Sequence, residues 1–295
     1  MVQYLLLFIT IVAQSSQDFF IKSFKEADPS HTSFDANLRF TAVSSGLEFI
    51  VLMVVRMITR TGEMFHLPTM GFSVIFGICF AAATLFSLLA IAEGSLALSG
   101  LVISYSLLMP TAWSIFFNKG EQYKSWEFIV GIVLLCISLF LIRGKDGKGI
   151  TKRWIIYVVL AFVSNGLCNI IMDVHQGLYP GQYRAPFLAL SMITVEIVTV
   201  TVILIRKNKK SNAKKKALVL CAGFNGTANA TANLLLMTII GAGVIPAFIM
   251  FPVMSAGQSL FCFFLSFFIF HERFTKTQYI GYFIGALSVV LLNMA

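Results

Sequence analysis

The chain has 295 residues, with 22 Lys and Arg against 13 Asp and Glu and a formal net charge of +9. Hydrophobic residues make up 58% of it and charged residues 12%, about half the charge content of a soluble domain, and the mean hydropathy is +0.85. These values exclude a disordered chain, a collagen, a coiled coil and a disulfide-stapled secreted fold, and leave an all-α, polytopic membrane protein.

A membrane-crossing helix needs about 20 mostly apolar residues. Ten such stretches follow one another along the chain. The first five run over Tyr4 to Phe20, Leu38 to Val55, Thr69 to Ala92, Leu96 to Phe117 and Trp126 to Ile142. The second five run over Trp154 to Met172, Pro186 to Ile205, Ala217 to Ile240, Val244 to Phe270 and Gln278 to Asn293. The connections are too short to hold a soluble domain, so the chain reads as one membrane unit. The first stretch lacks a charged leader region and a small-residue cleavage site, and is expected to be a retained helix. Cys79, Cys136, Cys168, Cys221 and Cys262 all fall in apolar runs without metal-ligand spacing, and are expected to be small buried apolar side chains. His31, His66, His175 and His271 fall in loops or at span ends and are expected at the membrane interface. No cofactor or metal site is expected.

Lys and Arg concentrate in the loops after the first, fifth, seventh and ninth spans. The heaviest are Arg143 to Arg153 and Arg206 to Lys216 (RKNKKSNAKKK). Positive loops stay on the cytoplasmic side, which with ten spans puts both termini outside. The basic charge therefore serves lipid contact, not nucleic acid. A plasma (inner) membrane is the simplest location.

The two halves are related. A shift of 151 residues lays Gln14 on Asn165, Asp18 on Asn169 and Glu121 on Glu272. The expected organisation is a first five-helix repeat over residues 1–143, a cytoplasmic linker over 144–153 and a second repeat over 154–295. Five spans is an odd number, so the second repeat must lie inverted relative to the first. Inverted repeats with a central site are typical of secondary transporters.

Several segments together carry a family resemblance. The first span ends in SSQDFFIKSF, and the second opens on Leu38-Arg39-Phe40. The fourth and ninth spans are each followed by a glutamate, in NKGEQ and FHERFT, and Ile280-Gly281 opens the last helix. In this order the chain resembles the ten-span, EamA-like branch of the drug/metabolite transporter superfamily over nearly its whole length. Two features depart from that pattern. Ser15-Ser16 stands where the family has a Trp-Gly pair, and Pro110 lies later than the usual proline. Many members keep their termini in the cytoplasm, the reverse of what the Lys and Arg distribution favours here. The resemblance implies a carrier of small metabolites or drugs.

Polar residues at membrane depth are costly and mark sites. Glu48 lies midway between Arg39 and Arg56, and Glu196 lies midway along its own span. A carboxyl in a low-dielectric cavity can exchange protons near neutral pH. Asn225, Asn229 and Asn233 are spaced by four and share one helical face; lipid cannot satisfy them. Asn165 and Asn169 form a shorter stripe of the same kind, matched in the first half by Gln14 and Asp18. Arg39 and Gln258 complete the substrate-binding or coupling candidates. Asp18 and Arg39 also have a plain interfacial reading, as an ion pair and a snorkelling cation.

Other classes fit less well. An intramembrane transferase needs clustered carboxylates or a nucleophile with its base, and the chain has no DDxxD, HExxH or GxSxG run. A channel needs a ring of repeated pore elements. The expected function is alternating-access secondary transport with protons as coupling ion, by a monomer or homodimer, and the family resemblance implies export as its direction. Within carriers, the alternatives are a nucleotide-sugar or phosphorylated-metabolite exchanger, which needs cations in its cavity, and a lipid-linked sugar flippase.

Overall fold

A computed structural model describes residues 2–27, 34–59, 63–93, 103, 105–117, 125–142, 151–206, 215–269 and 275–294. Among these residues there is no strand. The helices are α1 (Val2–Ala27), α2 (Phe34–Thr59), α3 (Leu67–Glu93), a 3-10 turn (Tyr105–Leu107) leading into α4 (Leu108–Phe117), and α5 (Ser125–Ile142). They continue with α6 (Lys152–Leu178), α7 (Arg184–Ile205), α8 (Lys215–Ala242), α9 (Ala247–Phe268) and α10 (Lys276–Met294).

Five helices are long and apolar enough to cross a membrane, over Val2–Ile21, Phe34–Thr59, Leu67–Ala90, Lys152–Leu178 and Arg184–Ile205. Trp126–Ser138 and Ala247–Phe261 are shorter apolar helices. α8 has the length, at 28 residues, but its three asparagines dilute its apolar character. Large apolar side chains such as Phe8, Met57, Ile75, Phe140 and Ile197 stand exposed on the outside. An apolar exterior of this extent fits contact with lipid, and the fold fits a helical membrane protein.

Local chemistry sets the helix ends. Thr151 caps α6 by accepting the Trp154 N–H at 3.1 Å, which satisfies one of the first-turn donors. Gly243, at φ +62, ends α8 in the left-handed conformation that glycine adopts without strain. Pro252 lies inside α9 and removes a helical donor there.

α1 packs along α8, and α3 packs along α6. α2 lies against both α7 and α8, α3 also lies against α7, and α5 pairs with α10. The central core is built from Phe76, Phe187, Leu188, Met192, Phe248 and Met254, each at most 1% exposed. Two glycines set the closest helix approaches. Gly226 of α8 lies on the Ser44 carbonyl of α2, and Gly77 of α3 lies on the Ser191 carbonyl and Thr194 of α7. Small residues at such points let backbones come together where lipid supplies no hydrophobic drive. The cysteines differ from expectation: Cys168 is buried and Cys79 and Cys221 are half-buried, but Cys136 is exposed, one position round the helix from the buried Leu135. The Cys262 side chain lies outside the described residues.

A Cβ added at Gly77 would sit 2.6 Å from the Thr194 Cβ. Gly77→Ala is expected to lower stability by about 1–3 kcal/mol through overpacking. Gly71→Ala, which meets nothing within 4 Å, is expected to be neutral or to gain up to about 1 kcal/mol from helix propensity. Thermal unfolding of the two variants in detergent checks the difference.

Candidate functional site

Two adjoining chambers of about 250 and 210 Å³ lie between the helices. They share Gln17, Ile21, Phe80, Asn165 and Asn229 as wall. One chamber runs from Phe24, Asn37 and Ser87, near helix ends, down to Glu48. The other continues past Gln14, Asn169 and Asn233 to Gln258. No Lys or Arg lines either chamber among the described residues.

Glu48 is the centre of this wall. It is 1% exposed, on the face of α2 that meets α8. Asn229 Nδ2 donates to its Oε2 at 2.7 Å. Asn233 Nδ2 in turn donates to Asn229 Oδ1 at 3.2 Å, so the amides line up behind the carboxylate. Its second oxygen, Oε1, is buried without a hydrogen-bond partner among the described residues. Above it, Ser44 donates to Asn225 Oδ1 at 2.9 Å, and Asn225 Nδ2 donates to the Gln17 carbonyl at 3.2 Å. The four-residue spacing on α8 thus becomes a ladder of amides joined to α2 and α1.

The opposite wall is also polar. Asn165 Nδ2 donates to Ser106 Oγ at 2.6 Å, tying α6 to the 3-10 turn. Asn169 Nδ2 donates back to the Asn165 carbonyl at 2.9 Å. Gln258 of α9 donates to Gln14 of α1. Gln14, Glu48, Asn165, Asn169, Asn225, Asn229, Asn233 and Gln258 therefore all reach one connected space.

Three further candidates stand differently. Glu196 is half-buried on α7 and lines neither chamber; its Oε2 accepts from Ser45 Oγ at 2.6 Å. Arg39 is half-buried near the start of α2 and also lines neither chamber. Asp18 belongs to α1, and its side chain lies outside the described residues.

A second polar cluster sits at the other end of the helices. His175 is fully buried, not at the interface as expected, because the turn between α6 and α7 folds over it. Gln176 holds that turn: its Oε1 accepts the Gly181 N–H at 3.1 Å and its Nε2 donates to the Gln182 carbonyl at 3.1 Å. The same Nε2 faces His175 Nδ1 at 3.1 Å, so that nitrogen accepts and Nε2 of the ring carries the proton. His175 Nε2 then donates to Thr69 Oγ1 at 3.1 Å, and the Thr69 hydroxyl donates to His66 Nδ1 at 2.9 Å. The His66 ring stacks on Tyr183 with centroids 4.3 Å apart. Nothing in the sequence periodicity marks these residues. Their link is made by a tight turn in which Gly181 and Tyr183 both take positive φ. A separate hollow of about 420 Å³, walled by Trp113, Phe117, Asp173, Ile240 and Met250, lies between the ends of α4, α6 and α8 and the start of α9. It shares no residue with the two chambers.

A solved crystal structure matches this architecture with a TM-score of 0.76 over 99% of this chain and 96% of that chain. Sequence identity is 13%. The likeness is one of fold. No family model and no curated protein matches the sequence.

The histidine cluster gives a stability prediction. Gln176→Ala strips partners from Gly181 N–H, Gln182 C=O and His175 at once, and unsatisfied buried groups cost about 1–3 kcal/mol each. Asn169→Ala strips only one bond, to a carbonyl within its own helix. Gln176→Ala is expected to unfold at a clearly lower temperature than Asn169→Ala, as read by a thermal melt in detergent.

Proposed function

We propose that the chain is a secondary carrier that moves a small solute across a membrane by alternating access, with Glu48 taking up and releasing the coupling proton. One observation carries the reading: a buried carboxylate, half hydrogen-bonded and backed by amides, at mid-helix depth in a cavity between the two halves. The cavity begins at the level of Ser87 and Asn37. The histidine cluster at Thr69 lies about 27 Å away along α3, roughly the thickness of a bilayer core. The hollow of about 420 Å³ lies at that second end and shares no lining residue with the chambers.

The pattern of helix contacts supports ten spans in two inverted repeats. Under the 151-residue shift, α1 corresponds to α6, α2 to α7, α3 to α8 and α5 to α10. The observed pairs α1–α8 and α3–α6 then exchange with each other, as do α2–α8 and α3–α7. α2–α7 and α5–α10 map onto themselves. Ser45 and Glu196, which the shift equates, touch each other, as residues beside a two-fold axis must. The positive loops favour both termini outside, and the chamber would then open toward the cytoplasm, one of the two states that alternating access visits. Resemblance to the EamA-like drug/metabolite transporters agrees with this reading. An exchanger of phosphorylated metabolites needs cavity cations, and no lining residue among the described ones supplies one.

Purified protein in liposomes with an imposed pH gradient tests the proposal, with amino acids, nucleosides and organic cations as the trial library. A solute that evokes proton movement in the native protein is expected to evoke at least tenfold less in Glu48→Gln. Glu196→Gln, outside both chambers, is expected to retain most of it. Solute flux without proton movement, undiminished in Glu48→Gln, removes Glu48 from coupling and leaves uniport or exchange.

A further inference from the structure

The inside of the cavity speaks to the charge of its occupant. Its described wall carries one carboxylate, a set of amides and hydroxyls, and the rings of Phe76 and Phe80. It carries no cation. A solute bearing a carboxylate or phosphate would have to leave that charge unpaired in a low-dielectric space, which is strongly unfavourable. A neutral solute offers Glu48 Oε1 at most a neutral donor, weaker than a charged one, and one without an O–H or N–H leaves it without a partner, as it stands now.

We infer that the cavity binds a small primary-amine cation, its ammonium group on Glu48 Oε1 and its remaining N–H donors on the amide oxygens of the wall. The inference rests on the carrier reading for why the cavity exists, and on the wall chemistry alone for what it takes. Three features favour this class. First, a buried carboxylate with one oxygen already bonded by Asn229 leaves the other, Oε1, as an unmet acceptor for one strong donor. Charge-assisted N–H···O bonds are about twice as strong as neutral ones, which offsets part of the desolvation of both ions. Second, an ammonium brings three donors. The Asn and Gln side chains around Glu48 offer carbonyl oxygens on several helices, and a quaternary ammonium has no proton to give them. Third, Phe80 lines both chambers beside the amides, and an aromatic face favours a cation near it.

Size limits the class further. Each chamber holds the equivalent of about seven or eight waters in the liquid. That suits an amine with a short carbon skeleton and excludes an acylated lipid, whose chains and phosphate find neither space nor a cation here. An amine-bearing lipid headgroup therefore falls outside the class, and a free amine falls within it. The amino acids fall outside as well: their ammonium has a partner but their carboxylate has none.

The test is binding to the purified full chain in detergent, read as a shift in thermal unfolding with ligand concentration and confirmed by calorimetric titration. The probes share one skeleton: n-butylamine hydrochloride, 1-butanol, sodium butyrate and 4-aminobutyrate, with ethylamine, hexylamine and tetramethylammonium alongside. The expected result is a saturable stabilisation by the primary amines, at least tenfold tighter than by any of the others. It is expected to weaken at least tenfold in Glu48→Gln. Equal binding of butanol, butyrate or 4-aminobutyrate overturns the inference, and so does equal binding of amine by Glu48→Gln. No stabilisation by any amine also overturns it. If Glu48→Gln does not fold, the contrast among the probes on the native protein decides alone. Failure here with proton-linked flux of some other solute in liposomes removes the amine class and leaves the carrier. Amine binding without any flux does the reverse.

Discussion

The contact between α2 and α8 is the one on which the site depends. Gly226 has no side chain, so α8 lies directly on the Ser44 carbonyl of α2. That approach puts Asn229, one turn further along α8, within 2.7 Å of the Glu48 carboxylate. It puts Asn225 onto Ser44 in the same way. A larger residue at 226 would part the helices and break both bonds. A buried carboxylate without a donor costs several kcal/mol, so a packing detail and an electrostatic requirement are met by the same geometry. The order of cause runs from glycine to helix distance to hydrogen bond to a charge that can exist in the membrane interior.

The two ends of the molecule are built from different chemistry. Around the chamber mouth the wall is mixed, with Phe24 and Phe40 packed 5.1 Å apart between centroids beside Asn37 and Ser87. At the other end the bonds are directional: Gln176, His175, Thr69 and His66 form a single chain of donors and acceptors. Aromatic packing can slide and re-form at modest cost. A hydrogen-bonded chain is lost or kept as a unit, because each broken link strands its neighbours. That contrast suits a molecule in which one end yields while the other holds.

Much of this arrangement was legible in the sequence. Nine of the ten expected stretches fall on described helices, with ends that differ by up to about two turns, and only the later part of the fourth, from Tyr105 to Phe117, lies in described helix; five of these helices are long and apolar enough to cross a membrane. The four-residue spacing of Asn225, Asn229 and Asn233 was enough to put them on one inward face. Glu48 stood out by its central place in an apolar run. The rest was hidden for identifiable reasons. Glu196 is as central in its helix as Glu48, but depth along a helix says nothing of direction around it; α7 turns Glu196 to Ser45 and away from the chambers. Arg39 carried a family likeness and still lines neither chamber. His175 sits in the last turn of α6, where exposure is the natural expectation. Its burial follows from a turn with positive φ at Gly181 and Tyr183, which no periodicity encodes.

Under the proposed repeat, the two halves differ in chemistry. The 151-residue shift that carries Ser45 onto Glu196 carries Glu48 onto Thr199. Thr199 is fully buried, and its hydroxyl has no hydrogen-bond partner among the described residues. Each half therefore holds a carboxylate on its second helix, displaced by three residues, which is nearly one turn. In the first half the displacement aims it at the amides of α8. In the second it aims the carboxylate at the serine of the first. A repeat with strict chemical symmetry would place two carboxylates in one low-dielectric space, where like charges a few ångströms apart cannot both ionise. The displaced Glu196 avoids that conflict. Glu48 is left as the sole described acid in the chamber wall, and the neutral amides around it can answer one charge at a time.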